Sequence, residues 1–130
     1  MRKILVIDND DLFRHYLTVL LQRAGFEVRA LTDGSGFLEA MNEERFDAVV
    51  TDLFMPEVDG IEVVINANRK FPGLPVIGVT AARSDGVDNP CIAAMIRLGA
   101  VGVLRKPVDR IELLTILHRV LERRPEPGRV

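Results

Sequence analysis

Asp8, Asp52, Thr80 and Lys106 are the side chains best suited to chemistry, because each stands where a short apolar run ends. Asp8 follows Ile4-Leu5-Val6-Ile7, Asp52 follows Ala48-Val49-Val50-Thr51, and Thr80 closes Val76-Ile77-Gly78-Val79. Lys106, with Pro107 after it, comes just beyond the run 101–104. Two carboxylates brought together in a low-dielectric setting repel, and a divalent cation relieves that repulsion. Oxygen ligands with room for water suit Mg²⁺, which takes one or two carboxylates and completes its shell with water or phosphate oxygens. A lysine adds a compact positive charge and a threonine adds a hydroxyl donor. Such a set is equipped for phosphoryl transfer, where catalysis is mostly positioning and charge neutralisation.

These groups converge only if the runs are neighbouring parallel strands. The runs 4–7, 26–30, 47–51, 76–80 and 101–104 are short, apolar and rich in β-branched residues, so they read as strands. Between them the spacing predicts helices over 12–24, around Phe37, Leu38 and Met41, over 61–70, over 91–98 and over 111–121. On the first helix, Leu12, Tyr16, Val19, Leu20 and Ala24 form the expected apolar face, and Gly25 the stop. Alternating strands and helices call for a doubly wound α/β fold with a parallel sheet covered on both faces. Ligands of such sheets bind outside the carboxyl ends of the strands, where the four side chains stand. Asp10 and Asp11 suit helix capping, and Asp59-Gly60 suits turn and cap chemistry. Residues 1–123 form one domain and 124–130 a tail or the start of a linker.

Composition narrows the classes. The 130 residues are 28% charged with a formal net charge of −2, which leaves no basic face for nucleic acid. Six Phe, one Tyr and no Trp offer little stacking surface for single strands. No apolar run approaches a membrane span, and the start is broken by Asp8 too early for a signal peptide. A cytoplasmic location with no membrane partner is expected. Cys91 has no second cysteine to pair with, and His15 and His118 stand alone on separate helices, so none of the three reads as a ligand. The last helix carries more apolar residues than one face needs, which suits tight packing and a homodimer surface equally.

The motifs Ile4-Leu5-Val6-Ile7-Asp8, Thr51-Asp52-Leu53-Phe54-Met55-Pro56-Glu57-Val58-Asp59-Gly60, Thr80-Ala81, Gly99-Ala100 and Lys106-Pro107 occur in order. Together they resemble the receiver domain of two-component response regulators, over the chain from Arg2 to Leu121. The resemblance implies a flavodoxin-like, five-stranded sheet of order 2-1-3-4-5 with five helices. It implies that Asp52 accepts a phosphoryl group from a histidine kinase or phosphotransfer protein. Mg²⁺ is then held by Asp8, Asn9, Asp52 and the backbone carbonyl of Phe54, Lys106 pairs with the phosphoryl group, and Thr80 moves to hydrogen-bond it. Such a chain is a phosphoacceptor rather than a classical enzyme. Its output surface, made by the fourth helix, fifth strand and fifth helix, addresses a downstream protein or domain. The Lys106–Pro107 bond is cis by the same analogy.

Three positions depart from the family pattern. Asn9 replaces a second acidic residue, which removes a negative charge from the metal site and predicts weaker Mg²⁺ binding unless Asp10 turns inward. Val103 replaces the aromatic that accompanies the Thr80 shift. Phe54 and Ala82 cannot orient an attacking water, so phospho-Asp52 is expected to be long-lived; a lifetime of seconds would refute this. The loop 84–90 is also longer than usual, so the fourth helix is expected to start late or sit differently. Two other readings stay open. One is a pseudo-receiver that binds partners without phosphorylation, in keeping with Asn9 and Val103. The other is a haloacid-dehalogenase-like phosphatase built on Asp8-Asn9-Asp10, which leaves the loop after Asp52 unexplained.

Overall fold

The computed structural model describes residues 1–53, 55, 59–81 and 90–123. The strands are β1 (Lys3–Ile7), β2 (Glu27–Leu31), β3 (Ala48–Asp52), β4 (Val76–Thr80) and β5 (Gly102–Arg105). The helices are α1 (Asp11–Arg23), α2 (Phe37–Glu43), α3 (Gly60–Lys70), α4 (Pro90–Arg97) and α5 (Arg110–Leu121), with a 3₁₀ turn at Gly34–Gly36. All five strands are parallel, in the order β2-β1-β3-β4-β5. This is the expected doubly wound order.

Alternation along each strand sends successive side chains to opposite faces. Ile4, Val6, Val50, Ile77, Val79 and Leu104 join Leu17, Leu20 and Leu21 of α1 and Leu113, Leu117 and Leu121 of α5 in one core. Leu5, Ile7, Val49 and Val76 join Phe37 of α2, Val63, Val64 and Ala67 of α3 and Met95 of α4 in the other. Covered on both sides, β1, β3 and β4 must be apolar at nearly every position, and each fully buried Leu, Ile or Val contributes roughly 1.5–3 kcal/mol.

The core face of α1 is only partly the one its spacing predicts, since Leu20 of that set is buried but its companions are not. Leu12 is 84% exposed and Tyr16 is 45% exposed, whereas Leu17 and Leu21 are buried and Phe13 packs beside them. The helix carries two apolar stripes, and the stripe 13–17–21 is the one that meets the sheet. Leu12, Tyr16 and Val19 instead line a surface groove with Leu114 of α5. The first strand after α1 also begins one residue late. Gly25, at φ +96°, ends the helix, and Phe26 donates its N–H back to Leu21 O at 3.0 Å before pairing starts.

The starts of α1, α3 and α5 are fixed by aspartates, as expected for Asp10 and Asp59, while α2 has no side-chain cap. Asp10 accepts the N–H groups of Leu12 and Phe13, Asp59 that of Glu62, and Asp109 that of Glu112. Asp11 pairs with Arg14 at 2.6 Å in the first turn of α1. His15 and His118 are exposed, as read from the sequence. The helix expected to start late or sit differently begins at Pro90. The expectations placed on Phe54, Ala82, the loop after Ser84 and the tail from Arg124 lie outside the described residues.

Candidate functional site at the carboxyl edge of the sheet

Strand register brings the expected residues together. Ile7 pairs with Thr51, so Asp8 and Asp52 leave neighbouring strands at the same level. Asp52 pairs with Val79, one residue before Thr80, and Thr80 pairs with Arg105, one residue before Lys106. With strands roughly 4.8 Å apart, four side chains from four strands share one edge. Lys106 donates its backbone N–H to the Thr80 carbonyl at 2.8 Å, and the Lys106–Pro107 bond is cis, as the resemblance implies.

The electrostatic centre is two buried carboxylates and one ammonium. Asp8 is wholly buried and Asp52 is 7% exposed. Lys106 Nζ lies 3.1 Å from Asp8 Oδ2 and donates to Asp52 Oδ2 at 3.5 Å. Among the described residues, one ammonium is thus shared by two buried carboxylates at the mouth of a low-dielectric sheet. Asp8 Oδ1 accepts the N–H of Asp10 at 2.8 Å, and the Asp8 carbonyl accepts from Arg14 Nη1 at 2.8 Å. Asp8 Oδ2, though at ion-pair distance from Lys106, has no hydrogen-bond donor aligned to it among the described residues. A buried carboxylate oxygen with acceptor capacity to spare is what a hard cation uses, and the donors here are all oxygen. The donor chemistry of Asp8 and Asp52 therefore fits Mg²⁺, and Asn9, next in the chain to Asp8, is exposed. Asp10 does not supply the missing charge: it is exposed, and its Oδ1 caps α1. The same capping role takes it out of the Asp-x-Asp pair that a dehalogenase-like phosphatase would need.

Two residues matter to this geometry that the sequence did not single out for it. A Cβ on Gly60 would stand 2.3 Å from the Asp52 carbonyl oxygen and 2.8 Å from Leu53 Cα. Only glycine lets the start of α3 press against the end of β3, and the Gly60 N–H closes the turn on Leu53 O at 3.1 Å. The second is Phe13, whose ring lies under Lys106 with the ammonium 4.3 Å from its centroid. The signal for Gly60 was the Asp-Gly pair itself. For Phe13 there was none, since its stripe on α1 competes with that of Leu12 and Tyr16.

Residues 4–118 match the model of the response regulator receiver domain. The chain belongs to that family. This receiver is 34% identical over 124 residues to the transcriptional regulatory protein GltR of Pseudomonas aeruginosa, an alignment covering 94% of this chain and 50% of that protein. It is 35% identical over 125 residues to the response regulator receiver protein CpdR of Brucella abortus, covering 93% of this chain and 98% of the other. The receiver spans about half the length of several transcriptional regulators it matches, at 50%, 58% and 54% of their chains. Among solved structures, a response regulator receiver domain protein from Clostridium thermocellum superposes with a TM-score of 0.85 at 27% identity, covering 95% of this chain and 96% of that one. The BeF3-activated DrrB receiver domain gives a TM-score of 0.81 at 30% identity, covering 94% and 98%.

Proposed function

We propose that this receiver takes a phosphoryl group onto Asp52 from a phosphohistidine of a kinase or phosphotransfer protein, and relays that event through its α4-β5-α5 surface to an output partner. The observation that carries this reading is the Lys106 ammonium set between the buried carboxylates of Asp8 and Asp52, at 3.1 and 3.5 Å.

In the transfer, a carboxylate oxygen of Asp52 attacks the donor's phosphorus. The O–P bond forms as the P–N bond breaks, and the electron pair leaves with the donor imidazole, which takes its proton from solvent. Asp52 is nearly dry, so its carboxylate is little shielded by water and strongly steered by its neighbours. Lys106 already stands at Asp52 and needs only a small movement to follow charge onto the phosphoryl oxygens. The Thr80 hydroxyl, at the next strand end, donates to another of them. Mg²⁺ bound by Asp8, Asn9, Asp52 and the Phe54 carbonyl would neutralise the charge gathered at the reacting phosphoryl group.

Intact-mass measurement after incubation with acetyl phosphate and Mg²⁺ tests this directly. The wild type is expected to gain one phosphoryl group and Asp52→Asn none. If neither protein gains mass even at high Mg²⁺, the switch falls. Asn9 and Val103 would then mark a module that binds partners without phosphorylation.

A further inference from the structure

We propose that Phe13 is a positioning residue for Lys106: its ring face holds the ammonium between Asp8 and Asp52 by a cation–π contact, and thereby sets how fast Asp52 is phosphorylated. The inference rests on Asp52 being the phosphoacceptor.

Lysine carries its charge on a flexible four-carbon stem, so an exposed ammonium samples many positions. Lys106 is different. Its side chain is 16% exposed, with Asp8 Oδ2 at 3.1 Å, Asp52 Oδ2 at 3.5 Å and the Phe13 ring beneath it at 4.3 Å. The separation from the ring centroid is well inside the roughly 6 Å at which such contacts act. Movement toward the ring is blocked and the charge is attracted to its face, which leaves the two carboxylates as the remaining direction of pull.

Phe13 is itself held at the capped start of α1. Its backbone N–H is capped by Asp10 at 3.2 Å, in the same connection that carries Asp8. Its neighbour on the helix, Tyr16, lies 6.0 Å away between centroids. The Tyr16 hydroxyl donates to the Val108 carbonyl at 3.2 Å, just past Lys106 and Pro107. Tyr16, one turn along from Phe13, thus ties α1 to the segment carrying Lys106. Phe13 is also half-buried against the α1/α5 core, so a packing role must be separated from an electrostatic one.

Fluorination separates them, since each ring fluorine weakens the negative face while barely changing shape. Wild type, Phe13→Tyr, Phe13→Leu and variants with one, two and three ring fluorines at position 13 would be phosphorylated with acetyl phosphate and followed by intact mass, with thermal melts alongside. The rate is expected to fall stepwise with fluorine number. Phe13→Leu should be about five-fold slower than wild type, equivalent to ~1 kcal/mol, while Phe13→Tyr stays within about two-fold. Rates that are flat across the fluorine series overturn the proposal, whatever Phe13→Leu does. If the wild type itself gains no phosphoryl group, the phosphoacceptor reading fails, a result distinct from a phosphorylated wild type with a flat series.

Discussion

Single residues govern how Asp52 is presented. Gly60 is fixed by space, since a methyl group there would drive into the Asp52 carbonyl. Gly60→Ala is expected to cost about 1–3 kcal/mol in urea unfolding and to slow phosphorylation of Asp52, because relief of the clash must move the end of β3. A variant as stable and as fast as wild type would show that α3 can retreat without disturbing the acceptor. At Asn9 the variable is charge. Asn9→Asp returns the missing anion beside two carboxylates served by one lysine, so Mg²⁺ should bind several-fold more tightly, read by amide shifts during a Mg²⁺ titration. Unchanged affinity would mean that Asn9 stands outside the coordination shell. The gathering of Asp8, Asp52, Thr80 and Lys106 at one sheet edge was legible in the sequence because each ends or closely follows an apolar run. Phe13 and the spatial role of Gly60 were not, because each depends on how a helix sits against the sheet, and no local pattern records that.

Elements meet through a second charge cluster at the far side of β2. Glu44, just past α2, pairs with Lys3 of β1 and, at 2.8 Å, with Arg29 of β2; Arg29 also reaches Glu43 at 3.2 Å. The Lys3 ammonium first, and then the Arg29 guanidinium, hold the Glu44 carboxyl below its ordinary 4.5. A carboxyl depressed in the folded state stabilises the protein above its ordinary value, and that contribution is lost as pH falls through the folded one. Glu44→Gln should therefore lower the urea midpoint at neutral pH but change it little at strongly acid pH. An equal loss at both would show that Glu44 acts by packing instead. The helices and strands themselves were readable to within a residue or two. β1, β3 and β4 are buried on both faces and leave unbroken apolar runs, while α1 has two apolar stripes and only the tertiary contact chooses between them. The aspartate caps at Asp10 and Asp59 were readable because capping is local chemistry.

Across the whole molecule, the sheet divides two cores, with α1 and α5 on one side and α2, α3 and α4 on the other. The helices proposed to form the output surface, α4 and α5, thus belong to different cores on opposite faces of the sheet. Hydrogen exchange should reflect this: amides of β1, β3 and β4 exchange last, and those of the outer strands β2 and β5 sooner. Uniform protection across all five strands would contradict it. The two outer strands have another consequence. An uncovered strand edge is a template on which a second chain can add itself, and proteins guard against this with shortness and charge. β5 is four residues long and ends in Arg105, while β2 carries Glu27 and Arg29. Growth of this sheet from one copy to the next is therefore disfavoured at both ends, by shortness at β5 and by charge at both edges.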